Sequence, residues 1–499
     1  MPAATISVCL NEPIAVINPN LYGHFMEHLG TCVDEGIWVG EHSPIPHLGG
    51  IRRDVIDALR KLNPPVLRWP GGCFADDYHW EDGIGPRETR PRRVNIWWGD
   101  ALENNHFGTH EFVQLCRLIG AQPYLCGNVG SGSPREMRDW VEYCNYDGDS
   151  TLAARRAGNG SPAPFGVRYW GVGNEAWGCG GNFDPEDYAI EYKRFATYLR
   201  DFSGTQLHLI ACGPHGDNPD WTRRFFTKLS GLPHIHSFSA HYYTWNREGQ
   251  MGSATEYSID QWYQLIHESL RMEPLITQHR AVMDDFDPDR KISLIVDEWG
   301  AWHPHEGRDP RSIWWQQNTL RDAVLAATNL DIFNRHADKV TMTNIAQMMN
   351  VLQSMILTNG DRILTTPTYH IFDMYQSHAG GQSLRAFFEA EPISFQSRAS
   401  TEQQLFGLSG SASRKDGVLT LSVVNPNATE PVEASIELRG GACSGVSVTV
   451  LADADIHAHN TFDAPDALQP QTSTLDVSGE WRHTFPPASV TVLRARVTG

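Results

Sequence analysis

Between about residues 20 and 380 the hydrophobic positions alternate between two textures. Short runs dense in β-branched and aromatic residues, at 66–72, 123–130, 167–175, 208–214, 237–244, 292–299 and 340–347, read as buried strands. Between them apolar residues recur at helical spacing over 51–62, 109–119, 134–144, 185–202, 259–272 and 313–334. Strand followed by helix, repeated this often, calls for a parallel sheet. A first strand near 21–27 brings the count to eight, which predicts a (β/α)8 barrel with long loops over residues 19–380. A doubly wound sheet is the competing arrangement.

The texture changes after about Gly380. Segments 418–425, 433–438, 446–451 and 489–497 are short alternating strands separated by turn residues, the signature of a β-sandwich. Residues 5–17 share that alternation and end at Asn18-Pro19-Asn20. They are expected to cross over and pair with the C-terminal module, so that 1–18 plus 381–499 form one jelly-roll-like sandwich.

Composition narrows the function. Forty Lys+Arg against 59 Asp+Glu give a net charge of −19, a surface that repels phosphate backbones and anionic lipid. Neither a nucleic-acid nor a membrane partner is expected. No signal peptide and no apolar run long enough to span a bilayer is visible. Nine scattered cysteines without a C-x-x-C pair fit free thiols in a reducing cytoplasm better than a disulfide framework. The 16 tryptophans are the unusual feature, because indoles stack on sugar rings as well as filling cores.

Two motifs fit a pattern without its context. His24-Phe-Met-Glu27-His28 matches an inverted zinc-protease signature, but glycines bracket a stretch too short for the helix that chemistry needs. Gly171-Val-Gly173-Asn-Glu-Ala176 follows a strand as a dinucleotide fingerprint should, yet Trp177-Gly-Cys-Gly-Gly cannot open the required helix. No metal and no organic cofactor is expected.

Two carboxylates sit where a barrel enzyme places its chemistry. Asn174-Glu175 ends the fourth strand and Asp297-Glu298 the seventh, each beside tryptophan. Such a pair suits glycoside hydrolysis, in which one carboxyl protonates the leaving oxygen and the other attacks or stabilises the anomeric carbon. An apolar wall of Trp170 and Trp177 would keep Glu175 protonated by desolvation. Arg68, ending the second strand, would keep Glu298 charged, unless it serves only as a structural salt bridge.

Together these segments resemble glycoside hydrolase family 51, whose members are mainly α-L-arabinofuranosidases. The resemblance rests on Gly23–His28, Leu67-Arg-Trp-Pro-Gly-Gly-Cys-Phe74, Tyr78–Pro86, Trp170–Glu175, Val296–Gly300 and Asn344-Ile-Ala-Gln-Met348, in the family's order along nearly the whole chain. It implies Glu175 as acid/base and Glu298 as nucleophile, with net retention through a covalent arabinosyl-enzyme. It further implies that Glu27 holds ring hydroxyls and Asn174 the 2-hydroxyl, that Arg68 and Tyr243 orient Glu298, and that Gln347 reaches the sugar. His241 would line the sixth strand end or be a buried structural histidine. Trp98 and Trp302 would close over the sugar or the next unit. Several members carry Asn where this chain has Cys73, so a polar contact to a sugar hydroxyl is altered here or Cys73 only packs beside the site. The implied activity is exo-acting release of arabinofuranosyl groups from arabinan, arabinoxylan or their oligosaccharides by a cytoplasmic homo-oligomer, a hexamer by resemblance. The alternatives are a same-fold glycosidase on another sugar, a β-xylosidase or endoglucanase, and a non-catalytic carbohydrate-binding protein.

Overall fold

A computed structural model describes residues 4–498 apart from 230, 232–233, 247–248, 306–312 and 479. Eight parallel strands, Gly23–Phe25, Val66–Trp69, Gln122–Gly127, Tyr169–Val172, His208–Ala211, Ser237–Trp245, Ser293–Trp302 and Val340–Ala346, close into a barrel in chain order. Val66, Tyr124, Tyr169, Ile210, Ile295 and Met342 meet as a cluster inside it, drawn from six of the strands. With the interior packed by side chains, a barrel of this kind carries its chemistry at the strands' C-terminal ends.

Helices wrap the barrel because their apolar stripes match its outer face. Arg53–Leu62 buries Val55, Ile56, Leu59 and Leu62, spaced one and two turns apart. Leu320–Arg335 is buried along nearly its full length, since it lies between the barrel and the second module. It begins seven residues later than the pattern of residues 313–334 predicts. Thr319 caps it with Asp322 in a capping box, while Trp314 takes a left-handed backbone and Trp315 pairs with Val351. The predicted helix at 259–272 is two, Ile259–Ser269 and Met272–Phe286, and that at 185–202 stops at Ala196. Asp220–Leu229, after the fifth strand, is a helix that the pattern did not reveal.

The second module is one nine-stranded sheet. Its order is Gln471–Ser478, Ala442–Leu451, Ser489–Thr498, Val418–Asn425, Ser409–Lys415, Gln382–Glu389, Ala4–Val16, Val432–Arg439 and Trp481–Phe485. The N-terminal strand thus crosses over, antiparallel to Gln382–Glu389 and parallel to Val432–Arg439. Val432–Arg439 and Ala442–Leu451 are separated by two residues yet stand eighth and second in the order. The sheet must therefore fold over on itself, and Ile6, Val8, Val446, Val448, Trp481 and Phe485 share its core. No helix among the described residues is long and apolar enough to cross a membrane.

Candidate active site

The seventh strand owes its chemistry to a bulge. Against the sixth strand Ser239 pairs with Ile295 but His241 with Glu298; against the eighth, Val296 pairs with Thr343 but Trp299 with Ile345. The extra residue breaks the two-residue alternation, so Asp297 and Glu298 both reach the barrel interior. Glu298 Oε1 accepts from Arg68 Nη1 at 2.7 Å and Oε2 from the Tyr243 hydroxyl at 2.8 Å. Arg68 is buried; its other nitrogen donates to Asn174 Oδ1 at 2.6 Å, and Phe25 lies under the guanidinium at 4.8 Å. Arg68 thus contacts both Glu298 and the residue before Glu175.

Glu175 faces this cluster from the turn after the fourth strand. His241 spans the gap, with Nδ1 2.9 Å from Glu175 Oε1 and Nε2 3.0 Å from Asp297 Oδ1. Burial alone would lower the imidazole's pKa, but Glu298, Asp297 and Glu175 outweigh it and lift His241 to about 10. Burial raises the Glu175 carboxyl, the His241 hydrogen bond opposes that rise, and the charge of Glu298 adds to it. Burial would also raise Asp297, yet Arg68, His241 and the Tyr124 hydroxyl hold it well below the usual carboxylate range. Oxygens of Glu175 and Glu298 lie within 4.8 Å of each other.

Above the pair opens a cavity of about 290 Å3. Glu27 forms one wall, accepting from Phe74 N at 3.0 Å, Trp98 Nε1 at 2.9 Å and Gln347 Nε2 at 3.1 Å. Burial and Glu298 lift its carboxyl to about 8. Trp98, Trp177, Trp245 and Trp302 line the rest, with Trp245 stacked 5.2 Å from Trp302. Among the described residues, Gln347 Oε1, Trp177 Nε1 and Trp302 Nε1 have no partner in the protein. A mostly apolar chamber with a few unpaired donors and acceptors suits a sugar ring, which offers apolar C–H faces and hydroxyl edges.

Two expectations are corrected here. Cys73 is not a thiol: it is joined to Cys179, bridging the loops after the second and fourth strands, while the seven other cysteines are free and buried. Cys73 therefore has no S–H to offer a hydroxyl, and the two sulfurs instead pack 4.0 and 3.6 Å from Glu175 Oε2. Trp170 is no wall of the site. With Trp69 and Trp299 it is fully buried, its Nε1 held by the Val167 carbonyl and its ring against Trp140. Trp177 does line the cavity.

The remaining candidates, Glu27, Arg68, Trp98, Asn174, Glu175, His241, Tyr243, Glu298, Trp302 and Gln347, converge on this one chamber or its floor. Asp297, Trp245 and Cys179 belong to it and were not read from the sequence. In the zinc-like motif, His24 packs on Phe372, whereas His28 accepts from Trp69 Nε1 and pairs with Glu103. After the dinucleotide-like motif no helix begins before Pro185.

Residues 58–263 match the α-L-arabinofuranosidase 1 domain model and residues 297–489 the α-L-arabinofuranosidase C-terminal domain model, whose limit falls inside the seventh barrel strand. An intracellular exo-α-L-arabinofuranosidase of Bacteroides ovatus is 43% identical over 476 residues, 94% of this chain and 90% of that protein. The crystal structure of the GH51 arabinofuranosidase from Xanthomonas axonopodis pv. citri superposes with a TM-score of 0.95 at 39% identity, over 99% of this chain and 100% of that one. An α-L-arabinofuranosidase from Thermotoga maritima, solved as an arabinose complex, gives 0.84 at 31% identity over 99% of both chains. Identity of this degree along nearly the whole length places the chain among the glycoside hydrolases, as a member of family 51, the α-L-arabinofuranosidases.

Proposed function

We propose that the enzyme removes terminal α-L-arabinofuranosyl groups with net retention, in two displacements. Glu298, oriented by Arg68 and Tyr243, attacks the anomeric carbon while Glu175 gives its proton to the leaving oxygen. Glu175 then takes a proton from the water that releases the sugar. The observation that carries this reading is the separation of the two carboxylates. One oxygen of each lying within 4.8 Å of the other favours the close pairing of retaining enzymes, whose carboxyl groups stand roughly 5–5.5 Å apart, over the roughly 6.5–9.5 Å that admits an inverting enzyme's water.

A chamber of about 290 Å3, closed by indoles, suits exo-action on one furanose better than a cleft of several subsites. Glu27, Asn174 and Gln347 would take the ring hydroxyls, and Trp98 and Trp302 would cover the ring. Arabinan, arabinoxylan and their oligosaccharides are the polymers and fragments that carry such groups. A cytoplasmic homo-oligomer, a hexamer as the family resemblance implies, acting on imported fragments, completes the proposal. We take residues 19–380 as the catalytic unit and 1–18 with 381–499 as its companion. Light scattering giving a clean monomer would reject the assembly.

The decisive experiment follows hydrolysis of an aryl α-L-arabinofuranoside by proton NMR. The first-formed arabinose should keep the α configuration, and faster release from an aryl xyloside or first appearance of the β anomer would overturn the reading. Glu298→Ala should lose several orders of magnitude in turnover, with azide forming the inverted glycosyl azide.

A further inference from the structure

One buried carboxylate near the site takes no part in the chemistry just described. Asp76 lies in the short turn Cys73–Asp76 after the second strand, 4% exposed and outside the cavity lining. Its Oδ1 accepts the backbone N–H of Val129 at 2.7 Å and of Gly130 at 2.8 Å, and its Oδ2 that of Asn174 at 2.7 Å. Its own carbonyl accepts the Ser131 N–H at 3.1 Å and hydroxyl at 2.8 Å. One side chain thus pins the loop after the third strand to the end of the fourth.

The end of the fourth strand is where such pinning matters. Gly173 has a φ of +85° and Glu175, with a full side chain, a φ of +40°. A non-glycine residue in that region is strained and persists only where its surroundings impose it. The carbonyl of Glu175 accepts from Gly178 N at 2.8 Å and Gly180 N at 3.2 Å, which fixes the turn from one side. Asp76 fixes it from the other through Asn174. The two supports interlock without spare room: a Cβ on Gly180 would stand 1.7 Å from the Asn174 carbonyl oxygen and 2.9 Å from Asp76 Oδ2.

We propose that Asp76 is a positioning residue for proton transfer: by holding the Asn174 amide it fixes the left-handed turn that aims the Glu175 carboxyl at the leaving oxygen. This rests on the reading of Glu175 as acid/base. An asparagine at 76 keeps size and shape but offers one acceptor oxygen, and its amide N–H would face a backbone N–H. It should leave the barrel intact and loosen the turn.

The test measures kcat and KM on aryl α-L-arabinofuranosides of graded leaving-group ability, for the parent, Asp76→Asn, Asp76→Ser and Glu175→Ala, each at a temperature where its melting curve shows it folded. A mis-aimed acid penalises poor leaving groups and spares activated ones. Both Asp76 variants are therefore expected to lose about 10- to 100-fold in kcat/KM on the poorest leaving group and little on dinitrophenyl arabinoside, whose kcat falls because the mis-aimed base slows release of the sugar and recovers with azide. A merely structural role would lower all substrates alike, and that result, or none, with Glu175→Ala showing the steep dependence, overturns the proposal. If Glu175→Ala shows no such dependence, the acid/base assignment itself falls and the proposal with it. Asp76→Ser covers the case in which the Asn variant does not fold.

Discussion

His241 touches both halves of the mechanism, and its removal separates them. The imidazolium donates to Glu175 and so favours that residue's charged form; without it, burial and Glu298 raise the Glu175 carboxyl further. His241→Asn should therefore slow turnover while moving the alkaline limb of kcat/KM to higher pH, because the acid holds its proton longer. A pH–rate profile whose limb stays put or moves down would contradict this role. Glu175, Glu298 and Arg68 stood out because each closes or borders a hydrophobic strand run, whereas Tyr243 was named only through the family resemblance. Asp297 did not stand out: strict alternation turns one of two neighbours away from the interior, and only the bulge brings both in. Cys73 and Cys179 stand 106 residues apart, a spacing that means nothing until two loops converge. A reducing compartment disfavours that bond. Alkylation of protein denatured without reductant should label seven thiols if the bond persists in the cell and nine if it does not.

Among the elements, those with long periodic stretches were read well and their ends badly. The Asp220–Leu229 helix escaped although Trp221, Phe225, Phe226 and Leu229 recur at helical spacing, because its ten residues stand between stretches of sequence rich in Asn, Pro and Gly. The fourth strand stops at Val172 rather than 175, since Gly173 and Glu175 leave extended backbone to make the catalytic turn. The start of Leu320–Arg335 had a signal in the chain: Thr319-Leu-Arg-Asp322 is a capping pattern, outweighed by the apolar residues before it. Thr319 Oγ1 accepts the Arg321 amide, and the Asp322 carboxylate accepts the Thr319 amide at 2.8 Å. Thr319→Ala should cost about 1–2 kcal/mol in urea unfolding, with Thr319→Ser restoring most of it. Equal losses in both variants would show that the methyl, rather than the cap, matters.

At the scale of the molecule, the barrel and the folded-over sheet are joined through a buried acid. Asp331 of the Leu320–Arg335 helix accepts from Ser411 at 2.7 Å and from Ser422 across the seam, and from Tyr375 at 3.0 Å. Asn334, one turn on, accepts from Tyr22 and donates to Ser411. Burial lifts Asp331 to about 6, Asp76 to about 7 and Glu27 to about 8, against about 4 in an unfolded chain. A carboxyl raised on folding contributes stability that is complete below its unfolded pKa and is lost as pH rises through its folded one. The buried neutral histidines His24 and His378, each lowered to about 3 by burial, act oppositely: their contribution is present above about 6.5 and is lost as pH falls. The acids thus draw stability down between about pH 4 and 8, and the two sets oppose each other over the part of that range in which the histidines still add it. Asp331→Asn keeps the shape of the seam, and serine and tyrosine hydroxyls can rotate to accept from the new amide. Its Tm relative to the parent should be higher at pH 8, where the parent bears the full cost of the buried charge, on the order of 2–3 kcal/mol, than at pH 4.5, where little of that cost has developed. The same Tm difference at both pH values would mean that Asp331 is held by its hydroxyl partners in either form, and that the seam does not set the pH dependence of the fold.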